Sequence, residues 1–524
     1  MSGLPYYISR RSLVNLKQID CFLTVDCGTT SSKAALVSTK GAILRSASTT
    51  RQTYFRQLGY VEQSLSELWQ SVCDISKEVA SQNRNLNILG LSFSGTIGDA
   101  VAIDKNLKPV SKTLILYSDN RALRQCSQLE YRIRSDTIYR ISGNPLSPTS
   151  CLPKWMWLKE RRSRAFRRTW KFIQPKDFLV LNASGQVCTD YTSASATMAF
   201  DIRKRNWSGR MLDAAGIDIE LMPELSESAA IIGELTRSAA GKMGLFPGLP
   251  VITGAGDTGA MMLGAGAIDD GDAVLYLGGG AEVDLVTGRE LLNTKMPIPV
   301  RCHVLPGRYF TSVTALASGV ARNWLSDIFN YSPHNASLSF SRAARRAGVG
   351  AHGFLFLPYL LGEQGSIWDP YARGAFIGLT GSTTSSDFCR AVLESTAYSL
   401  HQILTLYKKT GLRPRRFVIC GGGARNRLLS EIVTDALGVQ TRLHDNAEEV
   451  AAIGTAICAA ASLRRYKSLH AAANQMVHCH KRLTPKSANY EKYIRMLRLS
   501  EQAYLALRNI FHELSKFQKR DHDL

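Results

Sequence analysis

The sequence predicts an α/β protein made of two related domains around one cleft. Two stretches, Phe22–Ser38 and Ala273–Val286, each read as a strand, a glycine-bearing turn and a return strand. Between and after them lie amphipathic helices and buried-strand signals such as Ile88–Phe93 and Phe417–Cys420. A length of 524 residues also implies two domains or three, each with its own core.

The opening turn is the most informative. Phe22-Leu23-Thr24-Val25 has β-type sequence and ends in Asp26; Gly28, Thr29, Thr30, Ser31 and Ser32 follow, and Lys33–Ser38 resumes an extended pattern. Gly28 lets the backbone approach a ligand, and successive N–H groups and hydroxyls offer donors to phosphate oxygens. Asp26, fixed at a strand end, suits a Mg²⁺ ion or its water beside those phosphates. On these residues alone, a solvated hairpin explains the pattern equally well.

Leu68, Val72, Ile75 and Val79 predict an amphipathic helix over Ser66–Ser81. Ile88–Phe93 runs into Ser94-Gly95-Thr96-Ile97-Gly98-Asp99, and Leu114–Leu116 into Tyr117-Ser118-Asp119-Asn120-Arg121. Strand ends are where open α/β sheets place ligands. Asp119 and Arg121 there suit directional hydrogen bonds to a hydroxyl-rich substrate; the alternative is a helix N-cap at Asp119 with Arg121 exposed.

The Pro/Gly break Phe246–Pro250 predicts the domain boundary. Beyond it, Val251-Ile252-Thr253 leads to Gly254-Ala255-Gly256-Asp257 and a helix of small residues, Thr258–Gly266. A carboxylate on a glycine-rich strand end suits a catalytic base. Phe417–Cys420 enters Gly421–Asn426 and a helix carrying Leu428, Leu429, Ile432, Val433 and Leu437. Such a unit brings backbone N–H groups to a nucleotide, although it has neither a Rossmann fingerprint nor a Walker lysine. A last helix, about Asn489–Lys516, carries Tyr493, Leu497, Tyr504, Leu507 and Phe511 on one face.

Composition narrows the function classes. At 45% hydrophobic and 20% charged residues, the chain is of ordinary globular type. The longest uncharged run, Val450–Leu463, is Ala-rich, carries Gly454 and is too short to span a bilayer. Arg10-Arg11 has no apolar segment behind it, against a secretory signal, while an organelle transit peptide within 1–20 stays open. Eleven cysteines lie singly with no CxxC pair, which points to reduced thiols in the cytoplasm. His478-Cys479-His480 has no second ligand cluster and reads as a surface loop. The net charge of +21 gathers at Lys159–Arg168, Arg342–Arg346, Lys408–Arg416 and Lys516–Arg520. These clusters are far apart and lack interleaved aromatics. They predict solvated faces and a field that favours anionic substrates, not a nucleic-acid interface.

The motifs VDCGTTSSKAAL, GYVEQ, YSDNRA, PKDFL, TDYTSASATM, GAGDTGA, LPYLLGE with DPYARGAFIGL, and CGGGARN occur in this order. Together they resemble the FGGY carbohydrate kinases, of the superfamily of sugar kinases, actin and heat-shock ATPases, over residues 21–515. PKDFL, TDYTSASATM and YSDNRA look most similar to xylulokinases. The resemblance implies two ribonuclease-H-like domains flanking a deep catalytic cleft. It implies an N-terminal extension at 1–20 and an N-terminal domain at 21–248 holding the sugar and the first phosphate loop. A C-terminal domain at 249–485 would hold the catalytic aspartate and ATP, with a helix and basic tail at 486–524.

The implied reaction transfers the γ-phosphoryl group of ATP, with Mg²⁺, to a hydroxyl of a ketose or polyol. By position, Asp257 is the general base beside the substrate and Asp26 organises Mg²⁺, one carboxylate from each lobe. Gly28, Thr29 and Thr30, with Lys33, meet the phosphates, and Gly278, Gly279 and Gly280 form a second phosphate loop. Gly422, Gly423, Ala424 and Asn426 match the adenosine side. Thr96, Asp119 and Arg121 sit where the family handles substrate. The implied partners are a small sugar or polyol, with no nucleic acid and no membrane, in a cytoplasmic family that often forms homodimers.

Three departures stand out. The family's usual Gly-Thr-Ser becomes Gly278-Gly279-Gly280, which loses a hydroxyl donor, and Gly-Glu-Arg-x-Pro becomes Gly362-Glu363-Gln364-Gly365-Ser366. Ile97-Gly98 replace the Met-His of xylulokinases, so the sugar stays open. The alternative they leave is a degenerate member that binds sugar or nucleotide without efficient transfer.

Overall fold

The computed structural model describes residues 18–57, 59–81, 85–331 and 336–520. Residues 1–17 of the expected extension, and the transit-peptide question with them, lie outside the described residues.

Strand β1 (Ile19–Cys27) is apolar on both faces, with Phe22 in one core and Leu23 and Val25 in another. Such a strand has to be central and covered on both sides. It turns at Gly28 into antiparallel β2 (Ser31–Ser38), which sets Leu23 opposite Leu36 and Asp26 opposite Lys33. β2 pairs in turn with β3 (Ile43–Thr50). Helix α1 (Leu65–Ala80) starts at Ser64, whose side chain accepts the Glu67 N–H, and lays Leu68, Val72, Ile75 and Val79 on this sheet. β4 (Leu86–Gly95) then runs parallel to β1 on its other side.

The chain leaves the sheet for helices that include α2 (Cys151–Arg161) and α3 (Pro175–Ser184), then returns as β5 (Ile231–Glu234) and β6 (Pro250–Gly256). The first sheet is ordered β5-β6-β4-β1-β2-β3. It therefore runs across the Phe246–Pro250 break, because β6 pairs in parallel with β4. Asp257 follows the last residue of a first-sheet strand, and the expectation of one carboxylate per lobe is corrected accordingly.

Helix α4 (Asp257–Gly264) leads to a second sheet on the same plan. β7 (Asp272–Leu277) turns at Gly278–Gly280 into antiparallel β8 (Ala281–Thr287), followed by β9 (Val300–Cys302) and β10 (Tyr309–Ala315). After helices α5 (Gly319–Ile328) and α6 (Ser385–Lys409), β11 (Arg416–Cys420) enters parallel to β7. Helix α7 (Arg427–Leu437), β12 (Thr441–Leu443), helix α8 (Val450–Ser462) and β13 (Lys481–Leu483) complete the order β9-β10-β8-β7-β11-β12-β13. The hairpin-and-crossover arrangement of β1, β2, β3, β4 and β6 thus recurs in β7, β8, β10, β11 and β12. The duplication seen in two short stretches of sequence extends to both sheets, each ribonuclease-H-like.

The two halves are joined by α4 and α8, which cross in backbone contact. A Cβ on Gly264 would fall 1.7 Å from the Val450 carbonyl oxygen, and one on Gly454 1.8 Å from that of Ala260. α8 covers the first sheet with Ile453, Ala456 and Ile457, while Met261 and Met262 of α4 pack against Val274 and Val286 of the second. This double duty explains the uncharged, Ala-rich run in the sequence. A long C-terminal helix, α9 (Ser487–Arg520), buries Tyr493 and Leu497 in the second core, and the Tyr504 hydroxyl donates to Asp369 Oδ2 at 2.8 Å. No helix among the described residues is long and apolar enough to cross a membrane, and all eleven cysteines are free.

Candidate active site

The first turn is pinned from beneath. The Cys27 carbonyl accepts the Thr96 N–H at 3.0 Å, and the Thr30 carbonyl that of Arg51 at 3.0 Å. Gln63 Nε2 donates to the Thr29 carbonyl at 2.6 Å, and the Arg51 guanidinium donates to that of Gly28. Four consecutive carbonyls are thereby engaged, while the N–H groups of Gly28, Thr29 and Thr30 find no acceptor among the described residues. Gln63, the last residue of the GYVEQ stretch, thus acts with Arg51 to hold the turn. Inward carbonyls leave amides free for an anion.

Asp26 lies beside Ser94 in the β1–β4 ladder, and Ser94 Oγ donates to its Oδ1 at 2.6 Å. Burial raises the Asp26 pKa, against the pull of the Ser94 hydroxyl and the charges of Lys33 and Arg51. Lys33 itself is exposed, as is Thr30.

Ser94 also lies beside Ala255 of β6, so Asp26 and the strand that ends just before Asp257 lie on opposite sides of β4. The chain reaches this point through Gly254, whose φ of +74° and contact with the Phe93 carbonyl, 1.8 Å from any Cβ, admit only glycine. Asp257 is the first residue of α4, and its Oδ1 accepts the Thr258 N–H at 2.7 Å. A helix start favours the charged carboxylate. Burial and the nearby charges of Asp26, Glu282 and Asp99 win, and the pKa rises to about 7. A base titrating there is matched to neutral pH.

A buried polar network holds that segment. Lys176 Nζ meets Asp177 Oδ1 at 2.7 Å and Asp190 Oδ1 at 3.2 Å, and donates to the Thr253 carbonyl at 3.2 Å. Asp190 gathers Thr192, Ser193 and Ser228, and Thr192 Oγ1 accepts the Gly256 N–H at 2.7 Å. PKDFL and TDYTSASATM therefore act as supports of the Asp257 strand.

The second sheet supplies two glycine turns. Gly278 and Gly279 line a cavity of about 520 Å³ together with Gly422, Gly423 and Asn426. The Gly279 carbonyl accepts the N–H groups of Ser318 at 2.9 Å and Val320 at 3.0 Å, which ties the turn to the start of α5. Asn426 caps α7 by accepting the Leu429 N–H at 3.3 Å, and its buried Nδ2 has no partner among the described residues. Gly280 does not line this cavity, and Ala424 lines a neighbouring one beside Asp445.

Three polar residues not singled out from the sequence join the site. Asp99 is fully buried, takes the Thr96 hydroxyl and the Tyr117 N–H, and is pushed by burial up to about 6. Burial raises the Tyr117 phenol, against the Thr29 hydroxyl beside it and with the charges of Asp99, Asp257 and Glu282. Glu282 stands on β8 opposite Tyr276 and Thr314, and burial raises its carboxyl. Charged Glu282 and Asp284 inside a buried strand were the available sequence signal.

The structure rearranges the other sugar-side expectations. Thr96 turns its hydroxyl to Asp99. Asp119 caps no helix, since the next one starts at Leu123 with Ala122 as its cap. Both Asp119 oxygens are engaged by Val61 N–H at 2.5 Å and by Arg121. The Arg121 side chain is 2% exposed and pairs with Glu62 at 2.8 Å and Asp119 at 2.7 Å, which sets aside the alternative of an exposed Arg121.

Comparison with known proteins accords with this geometry. Residues 21–264 match the N-terminal domain of the FGGY family of carbohydrate kinases, and residues 283–463 its C-terminal domain. A xylulose kinase of Staphylococcus epidermidis is 29% identical over 497 residues, covering 94% of this chain and 98% of that protein. Among solved structures, a xylulose kinase and a gluconate kinase, both from Lactobacillus acidophilus, each superpose with a TM-score of 0.86 at 21% identity, over 95% of this chain and 100% of theirs. At that identity the likeness is one of fold, and it does not separate the two acceptors.

Proposed function

The chain belongs to the FGGY family of carbohydrate kinases, and from that premise we propose that it phosphorylates a hydroxyl of a neutral ketose or polyol, xylulose-like, using ATP. One arrangement supports the reading above all. Asp26 and the strand that ends just before Asp257 lie on opposite sides of a single strand of the first sheet, and both second-sheet glycine turns line one cavity.

Asp257 takes the proton of the attacking hydroxyl as the new O–P bond forms and the β–γ bridge to ADP breaks. The amides of Gly28, Thr29 and Thr30, with Lys33, receive the moving phosphoryl group. Gly278–Gly280 receive the outgoing phosphates, and Gly422, Gly423 and Asn426 the adenosine side. Asp26 Oδ2 takes no protein hydrogen bond, and no cluster of three or more metal-ligating side chains occurs among the described residues. That fits Mg²⁺, which binds through one or two carboxylates, waters and substrate phosphates. When bound, the ion neutralises phosphate charge. Tyr117, Glu282 and Asp99 border the acceptor. We place the divide between the two halves after α4, and the enzyme in a reducing, cytoplasmic compartment that keeps its cysteines free.

ADP release measured over pentuloses, hexuloses, polyols and glycerol tests the reading. Sugar-dependent turnover is expected with a five-carbon ketose or polyol, and Asp257→Ala is expected to cut it by ~10²–10⁴-fold. Turnover untouched by that substitution refutes the assigned base.

A further inference from the structure

A separate cavity of about 460 Å³ is bounded by α2, by Arg56, Gln57, Tyr60 and Glu62, and by residues 100–102 and 110–113. It shares no lining residue with the cavity between the glycine turns, and neither Asp26 nor Asp257 borders it. Tyr60, Trp155, Trp157 and Phe172 are among its lining residues. Trp155 stacks on Phe172 with ring centroids 4.8 Å apart, and Tyr60 meets Trp157 edge-on at 5.9 Å. The Arg121 guanidinium lies 3.9 Å from the Tyr60 ring centre and 4.8 Å from that of Trp157.

The lining carries five cations, Arg56, Lys112, Arg121, Lys154 and Arg162, against one carboxylate, Glu62. Three of the five are engaged by the protein. Arg121 pairs with Glu62 and Asp119, Arg56 reaches Glu62 at 3.4 Å, and Lys154 donates to backbone carbonyls. Lys112 and Arg162 are exposed and have no ion-pair partner among the described residues. The buried rings make part of the lining apolar, and the two unpaired cations favour a negative group. The volume lies within the range of roughly 300–1,000 Å³ of small-molecule sites.

We propose that this cavity is a second ligand site, for a small organic anion with an apolar body, distinct from the site of phosphoryl transfer. Lys154 connects the two. It lines the cavity, and its Nζ donates to the carbonyls of Gly98 at 3.0 Å, Leu116 at 2.7 Å and Thr149 at 2.6 Å. Gly98 and Leu116 adjoin Asp99 and Tyr117, so occupancy bears on the acceptor side of the active site.

Calorimetric titration of the full chain with 2-naphthyl phosphate tests the proposal. One saturable site per chain is expected, and saturating ATP leaves it in place. Ala165→Trp fills the mouth and abolishes binding. The double change Lys112→Glu with Arg162→Glu, on exposed side chains that folding does not need, weakens it by at least ~10-fold, about 1.4 kcal/mol. Absence of saturable binding, displacement by ATP, or affinity unchanged by the charge reversal overturns the proposal. No phosphoryl transfer enters the measurement, so its failure is distinct from failure of the kinase reading.

Discussion

Thr192 Oγ1 accepts the backbone N–H of Gly256 at 2.7 Å, one residue before Asp257. The same hydroxyl donates to Asp190, which Lys176 holds from the far side at 3.2 Å. The position of Asp257 is therefore set by a side chain that lies 64 residues before Gly256, through a buried charge network. Thr192→Val keeps the shape and removes the hydroxyl, leaving the Gly256 N–H unpaired, while Asp190 Oδ2 keeps the Thr192 N–H and the Ser228 hydroxyl. Denaturant melts are expected to show a loss of about 1–3 kcal/mol. Steady-state kinetics should show a lower kcat with KM for ATP unchanged; an unaltered kcat would mean that the bond supports only the fold.

The raised pKa of Asp257 has two consequences of opposite sign. Only the ionised carboxylate accepts a proton, so kcat/KM for the sugar should fall by about tenfold per pH unit below 7. For stability, a folded-state pKa of about 7 against an ordinary 3.8 means that the folded chain holds its proton more tightly. The group's contribution is then complete below the unfolded value and is lost as pH rises through the folded one. Asp257→Asn should accordingly melt higher than the parent protein at pH 8, with the difference closing toward pH 4. A gain constant across that range would exclude burial of the charge as its origin.

The second glycine turn treats its members differently. A Cβ on Gly279 meets nothing nearer than Val320 Cγ2 at 3.7 Å, while one on Gly280 would fall 2.6 Å from the Ala315 carbonyl oxygen. Gly279→Thr therefore restores the hydroxyl at no steric cost and should lower KM for ATP, with the melting temperature unchanged. Gly280→Ser should lower the melting temperature. The reverse ranking in thermal melts would show that the turn differs from the one described.

Local chemistry was legible in the sequence, and partnership at a distance was not. The hairpin at Asp26 and the strand–turn–helix units at Asp257 and Asn426 carry their signals within a dozen residues, so turn residues and apolar periodicity place them. The Phe246–Pro250 break gives no sign that the first sheet continues beyond it, because a Pro/Gly turn marks only a change of direction. Whether the next strand rejoins the old sheet depends on β6 finding β4, about 160 residues earlier, which no local pattern encodes. Asp99 and Tyr117 were passed over for a related reason. Their bond to each other and their place beside Asp257 come from tertiary closure, and each alone is an ordinary residue at a strand end.

Arg121 looks like a sugar ligand in sequence and like an interior clamp in the structure. Its guanidinium joins Asp119 and Glu62 while lying against Tyr60 and Trp157, which ties segment 59–63 to helix α2. Lysine keeps the charge but has no planar fork to meet two carboxylates and two rings at once. Arg121→Lys should therefore lower the melting temperature and leave KM for the sugar within about twofold. Removing the charge with Arg121→Leu strands the buried Asp119 carboxylate, while Glu62 keeps Arg56; an uncompensated buried charge typically costs about 3–5 kcal/mol. If Arg121 instead contacted the acceptor, the lysine variant would melt normally and its sugar KM would rise tenfold or more. The two outcomes separate in one thermal melt and one saturation curve.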